Sequence, residues 1–174
     1  MVRCYSFLFF GLIATSTAAT VAQVADDITA LNLKVKKLTK TVNAYQGGFV
    51  GALPQLNALV PVYLSLLKGV ADTAALPPSV SVTDSYTIID LVNSTLAVDN
   101  PIAIDALVAK KSLYKAAGLN DFLVAAVGLL ELGHESFTLN TLKRVPPEAS
   151  ADGIAVTDVI TNALLYGIHV FEAN

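Results

Sequence analysis

Ile28-Thr29-Ala30-Leu31-Asn32-Leu33-Lys34-Val35-Lys36-Lys37-Leu38-Thr39-Lys40-Thr41-Val42-Asn43-Ala44-Tyr45 decides the fold class. Within it Ile28, Leu31, Val35, Leu38, Val42 and Tyr45 step by three and four, the interval that stacks side chains on one face of a helix. The same step restarts at Leu53 and runs through Leu56, Val60, Tyr63, Leu67 and Val70. No period-two run of convincing length follows anywhere, so the class is all-α, an antiparallel bundle of about five helices.

Punctuation divides the chain further. Asp26 or Asp27 suits the cap of the first helix, and Gly47-Gly48 ends it. The second helix is expected from the Phe49–Pro54 region to about Ala71, with Pro61 kinking or splitting it. Pro77-Pro78 forces a loop. Ser81 and Asp84 have capping-box spacing, which predicts a third helix from Thr83 to about Val98 with Ser85, Ile89, Val92 and Leu96 inward. Asn100-Pro101 interrupts, and a fourth helical stretch ends at Gly118; the third and fourth stretches form either one kinked helix or two. Asp121 is expected to cap a fifth helix, apolar almost all round and therefore central. After Pro146-Pro147 a last helix begins near Ser150 and reaches Phe171.

Arg3, the apolar run Phe7–Ala14 and the small residues between Thr15 and Ala22 have the layout of a secretory signal. Ser16 with Ala18, or Thr17 with Ala19, suits a signal peptidase. We therefore expect residues 1–22 to be a cleaved leader and residues 23–174 to form one helical-bundle domain. Cys4, the chain's single cysteine, leaves with the leader, so no disulfide staples the fold and the cystine-rich secreted classes are excluded. Losing Arg3 leaves 10 basic residues against 14 acidic ones and moves the net charge from −3 to −4, so nothing attracts nucleic acid globally. Glu131 interrupts the longest apolar stretch, Phe122–Leu132, so no membrane-spanning run is expected in the mature chain. The ending Val170-Phe171-Glu172-Ala173-Asn174 is no lipid-anchor signal. The expected location is extracellular, as a released protein or one held to a cell wall by non-covalent contacts.

Candidate chemistry is sparse. Glu131 and His134 have the Glu-x-x-His spacing of di-iron bundles, but the other histidine, His169, is preceded three residues earlier by Tyr166, so no second pair exists. Neither a metal nor a cofactor is expected, and His134 reads as half-exposed beside a solvated Glu131. There is no Gly-x-Ser-x-Gly elbow and no catalytic cysteine, and Asp84, Asp90, Asp99 and Asp105 look like caps and surface residues, so no enzyme is expected. Lys34, Lys36, Lys37 and Lys40 decorate one helix with no acid among them, as a docking face for an anionic partner or simply as a solvated face. Asn93-Ser94-Thr95 is an N-glycosylation sequon.

Charged residues make up 14% of the chain, against about 25% in an ordinary domain, so more apolar surface is present than one small core consumes. Ala125, Ala126, Gly128, Gly133, Ala163 and Gly167 sit among large aliphatics, where they either let backbones approach or leave room for a guest. Periodicity nominates Leu56, Val60, Leu64, Phe122, Ala126, Leu129, Leu130, Ile160, Leu164 and Ile168 as the lining for such a guest. A guest with about 14 buried methylenes would gain roughly 11 kcal/mol before ordering costs. If the bundle is instead fully packed, Leu129→Arg unfolds it.

Asp27-Ile28 with Leu31, the run Ala106-Leu107-Val108-Ala109-Lys110-Lys111-Ser112-Leu113-Tyr114-Lys115-Ala116-Ala117-Gly118-Leu119, and the Val145-Pro146-Pro147 helix ending at Phe171 resemble the fungal hydrophobic surface-binding protein A family. That family is related to the ligand-binding domain of the cell-wall galactomannoprotein Mp1. The resemblance implies a secreted, non-enzymatic helical bundle that adsorbs to hydrophobic surfaces and recruits a polyester hydrolase, or that encloses a fatty acid or other lipid between its helices. The alternative is a structural wall or adhesion module that recruits a secreted hydrolase through its surface.

Overall fold

A computed structural model describes residues 18–173. Most of the expected leader, residues 1–17, lies outside the described residues. The rest of it joins the fold: Ala19 is buried and its N–H donates to Ala75 O at 3.0 Å. Thr20 caps α1 (Val21–Asn43) in a reciprocal capping box with Gln23. Asp26 and Asp27 are therefore not the cap. Asp27 is buried and receives a 2.6 Å hydrogen bond from Lys68, which also reaches Asp72 at 2.7 Å.

Gly47 and Gly48, both at positive φ, turn the chain into α2 (Phe49–Ala74). Pro61 does not split α2, which stays helical throughout. Ser81 caps α3 (Val82–Ser94), its hydroxyl accepting from the Asp84 N–H at 3.0 Å. The chain breaks at Thr95 rather than at Asn100-Pro101 and continues as α4 (Leu96–Val108). Pro101 lies inside α4, about one turn and a half past the joint. Ser85, Ile89, Val92 and Leu96 all face inward as expected.

The fourth stretch stops at Val108, and α5 (Lys111–Ala116) is a separate single turn and a half closed by Gly118 at positive φ. Next comes α6 (Asn120–Leu142), with Leu119 at its cap and Asp121 inside its first turn. The last helix, α7 (Pro147–Glu172), starts three residues early because Pro147 suits the first helical position. Seven helices thus stand among the described residues, and none of those residues is a strand.

With α3 and α4 taken as one bent rod, five rods close a ring. α1 packs on α2 and α4, α2 on α6, α6 on α7, and α7 back on α3 and α4. Chain-consecutive rods such as α1 and α2 run antiparallel, as the pairs Lys34–Ser65 and Lys68–Asp27 show. An odd ring cannot alternate everywhere. α2 and α6 run parallel, with Leu66 beside Gly133 and the Asn140 amide donating to Val70 O at 3.3 Å. Arg144 ties the far end of that seam by donating to Ala74 O at 2.7 Å and Leu76 O at 3.2 Å.

The α1 stripe enters the core as read: Ile28, Leu31, Val35, Leu38, Val42 and Tyr45 are all buried. α2 behaves oppositely. It buries Ala52, Gln55, Ala58, Val62, Ser65, Leu66, Gly69 and Thr73, while Leu53, Val60 and Leu67 of the expected stripe, together with Leu64, stay exposed. By length and composition alone, α2, α6 and α7 are each apolar enough to cross a membrane. This overturns the expectation that no such segment exists, because one carboxylate such as Glu131 does not cancel the apolarity of a helix of 23 residues.

Candidate functional site

α2 and α6 meet tightly at one end and diverge at the other. At the tight end small residues permit the approach. A Cβ on Gly69 would stand 2.7 Å from the Phe137 ring, and one on Gly133 would stand 2.6 Å from Leu66. At the other end Ala125 and Ala126 of α6 stand across a gap from Leu56, Leu59 and Val60 of α2. Both readings of the small residues therefore hold, at different places. Gly133 and Gly167, the latter against Ile104, serve close packing, whereas Ala125 and Ala126 leave room.

The room is a cleft of about 390 Å³. Leu56, Leu59, Val60, Tyr63 and Leu64 form one wall, and Phe122, Ala125, Ala126, Leu129 and Leu130 form the other. Its volume falls within the roughly 300–1,000 Å³ typical of small-molecule sites. Tyr63 supplies the only polar group among these side chains. Seven of the ten nominated residues, Leu56, Val60, Leu64, Phe122, Ala126, Leu129 and Leu130, stand on this cleft. The other three do not. Ile160 and Leu164 are core residues beside a separate void of about 60 Å³, and Ile168 packs half-buried against the core. Leu59, Tyr63 and Ala125 were absent from the nominated set, although Tyr63 belongs to the α2 stripe and Leu59 lies three residues beyond Leu56, on the same face.

Towards the N-terminal end of α2 the cleft continues inward to a void of about 40 Å³ that shares Leu56, Leu59, Phe122, Ala126 and Leu130 with it. Gln55 and Tyr114 are the polar residues on this void. The Tyr114 hydroxyl donates to the Gln55 carbonyl oxygen. Burial raises the Tyr114 hydroxyl well above its ordinary range, with the Tyr45 charge adding to the effect, so it remains a donor. The Tyr114 ring stacks on Tyr45 with centroids 4.6 Å apart and meets Phe171 edge-on at 6.1 Å.

His134 is buried, not half-exposed. Its Nε2 lies 3.2 Å from Thr157 O and 3.1 Å from Thr161 Oγ1, linking α6 to α7. Burial holds its pKa below the ordinary value of 6.5. Glu131, partly buried and close to Glu135, has a carboxyl raised by desolvation first and by that neighbour second. Among the described residues no group of three His, Cys, Asp or Glu side chains is placed to hold a metal ion.

The four lysines do not present one face. Lys34 Nζ donates to Ser65 Oγ at 2.9 Å across the α1–α2 seam, and Lys36 pairs with Asp99 of α4 at 3.3 Å. Lys37 and Lys40 are exposed. Asn93 is exposed in the last turn of α3, beside the Thr95 joint.

The family model described as hydrophobic surface binding protein A matches residues 21–141, well over half of the chain. The chain belongs to the hydrophobic surface binding protein A family. No curated protein matches it by sequence. Solved structures share its fold. AfMp4p, crystallised in complex with palmitic acid, is 20% identical with a TM-score of 0.82, covering 87% of this chain and 99% of that one. Ligand-binding domain 2 of the Penicillium marneffei MP1 protein, complexed with multiple arachidonic acids, is 21% identical with a TM-score of 0.81, covering 89% and 97%. Ligand-binding domain 1 of the same protein, complexed with arachidonic acids, is 17% identical with a TM-score of 0.79, covering 89% and 99%. Within the hydrophobic surface binding protein A match, residues 21–141 include every side chain of the α2–α6 cleft.

Proposed function

We propose that this protein is a secreted, non-catalytic binder of long acyl chains that also adsorbs to hydrophobic surfaces, and that the α2–α6 cleft does both. One observation carries this: a cleft of about 390 Å³ with aliphatic and aromatic walls, on which Val60 and Leu64 of α2 and Phe122 and Leu129 of α6 stand exposed. Adsorption needs no unfolding, because Leu53, Val60, Leu64 and Leu67 of α2 and Phe122 and Leu129 of α6 already face solvent. An exposed apolar face of this kind marks an interaction site. The fold shared with proteins solved in complex with palmitic and arachidonic acids supports the same reading.

The deciding test is palmitate binding by native mass spectrometry and thermal shift, on wild type and Leu129→Arg. Leu129 is 49% exposed on the cleft wall, so the variant keeps its helical signal and melting point but loses palmitate. A folded Leu129→Arg that takes up palmitate like wild type refutes the cleft as the site.

Secretion completes the reading. Buried Ala19 and the Thr20 cap are part of the domain, which favours cleavage after Ala18, the Ser16-x-Ala18 option, over a cut at Ala22. Exposure of Asn93 at the end of α3 supports a glycan there. Recruitment of a secreted polyester hydrolase is a second role, favoured by exposed Lys37 and Lys40 on the outside of α1. Changing both to Glu abolishes capture of a cutinase-type enzyme on a polyester bead; unchanged capture removes those lysines from the docking face.

A further inference from the structure

The groove reading leaves one group unused, the amide of Gln55. This side chain is 94% buried, adjoins Leu56 at the inner end of the cleft, and borders the void of about 40 Å³ into which the cleft continues. Such a void exceeds the roughly 10–15 Å³ that one water requires, so it admits a carbonyl-sized group. The Tyr114 hydroxyl occupies the amide oxygen and fixes which way the amide faces, and Tyr114 is itself held by its stack on Tyr45. Nε2, with two N–H donors, has no acceptor in the protein. A buried, oriented and unpaired donor is a costly choice for packing alone, since an aliphatic side chain of similar size would fill the site without that penalty.

Charge decides what the donor can receive. No lysine, arginine or histidine lines either the void or the cleft, and the only titratable side chains there are tyrosines, Tyr114 on the void and Tyr63 on the cleft. An ionised carboxylate would lose its hydration without meeting a cation. An uncharged carbonyl oxygen needs only the amide donor. From Gln55 to Leu64, α2 advances nine residues, roughly 13.5 Å, along the apolar wall, so the hydrocarbon tail lies in the cleft when the head is at Gln55.

We infer that Gln55 Nε2, oriented by Tyr114, is the hydrogen-bond donor for an uncharged carbonyl oxygen at the head of an acyl chain seated in the α2–α6 cleft. The preferred ligand is then an acyl ester or a protonated fatty acid, not the ionised acid. This rests on the cleft-binding reading above.

The test compares methyl laurate, laurate and tetradecane as competitors of N-phenyl-1-naphthylamine at pH 7.5. Wild type is expected to hold methyl laurate about five- to tenfold more tightly than tetradecane, and more tightly than laurate. Gln55→Leu combined with Tyr114→Phe removes donor and orienting partner together, so no polar atom of the pair is stranded. That double variant is expected to bind both neutral ligands within about twofold of each other. A second readout needs no variant: the infrared carbonyl band of ¹³C-labelled methyl laurate moves to lower frequency on binding wild type than in tetradecane solution. Equal affinity of wild type for methyl laurate and tetradecane overturns the inference, as does a preference that survives in the folded double variant, an unshifted carbonyl band, or tighter binding of laurate. If none of the three ligands binds wild type, the cleft reading itself falls.

Discussion

Gly133 of α6 lies so close to Leu66 of α2 that a methyl group on the glycine would stand 2.6 Å from Leu66 Cδ2. Five residues earlier, Gly128 faces open space. Alanine at the two positions should therefore act with opposite signs. Gly133→Ala pries the parallel pair apart and costs about 1–3 kcal/mol, the usual penalty for overpacking. Gly128→Ala has no clash and gains up to about 1 kcal/mol by stiffening the unfolded chain and favouring helix. Urea unfolding of the two variants checks the ordering.

Acid should weaken the α6–α7 contact. Burial keeps His134 neutral in the fold below its ordinary pKa of 6.5, so the unfolded chain binds a proton first as the pH drops. The stability it represents is complete above about pH 6.5 and is lost as the pH falls from there towards the lower folded-state pKa. Melting temperatures between pH 7.5 and 5 should fall, and His134→Gln should flatten that slope. An unchanged slope in a folded variant assigns the acid sensitivity to other groups.

Thr20→Ala removes the side-chain acceptor for the Gln23 N–H. Loss of such a cap costs about 1 kcal/mol. A form trimmed to begin at Gln23 should lose at least as much, because the backbone bond from Ala19 to Ala75 goes as well. Sequencing the N-terminus of the secreted protein gives the companion result, with Ala19 as the expected first residue.

Surface adsorption should follow the outward stripe of α2. Leu64→Lys with Leu67→Lys places two charges on a face that is 59% and 43% exposed at these positions, so the fold is retained. Retention on polystyrene beads should fall severalfold at unchanged melting temperature. Equal retention would move adsorption to the apolar residues of α7, such as Ile154, Val159 and Leu165.

What the sequence revealed, and what it hid, follows from what periodicity measures. Spacing by three and four reports that a stripe exists, and in α1 the stripe from Ile28 to Tyr45 is the buried one. In α2 the same arithmetic marks Leu53, Val60 and Leu67, yet the core takes the opposite face, where Ala52, Ala58, Ser65 and Gly69 allow the neighbouring helices in. No local pattern says which face wins. Leu129, nominated as lining, stands half-exposed on a cleft wall, so the unfolding expected of its change to arginine in a fully packed bundle does not apply. The cleft lies between helices that are not consecutive, so its α2 and α6 members were legible as stripes but not as partners. Ile160 and Leu164 have the same stripe spacing and serve packing instead. His134 was misjudged because Thr157 and Thr161, the groups that satisfy it, come from another helix.

The parallel seam that is shut at Leu66 and Gly133 and open beside Leu56 and Phe122 gives the cavity a blind end. With its head held at the Gln55 end, a hydrocarbon runs along the cleft and halts where the Leu66 side chain meets Gly133, so the protein works as a ruler. Each added carbon should strengthen the complex by about 0.8 kcal/mol until the terminal methyl reaches that stop. Beyond it, further carbons spill into water and the gain levels off.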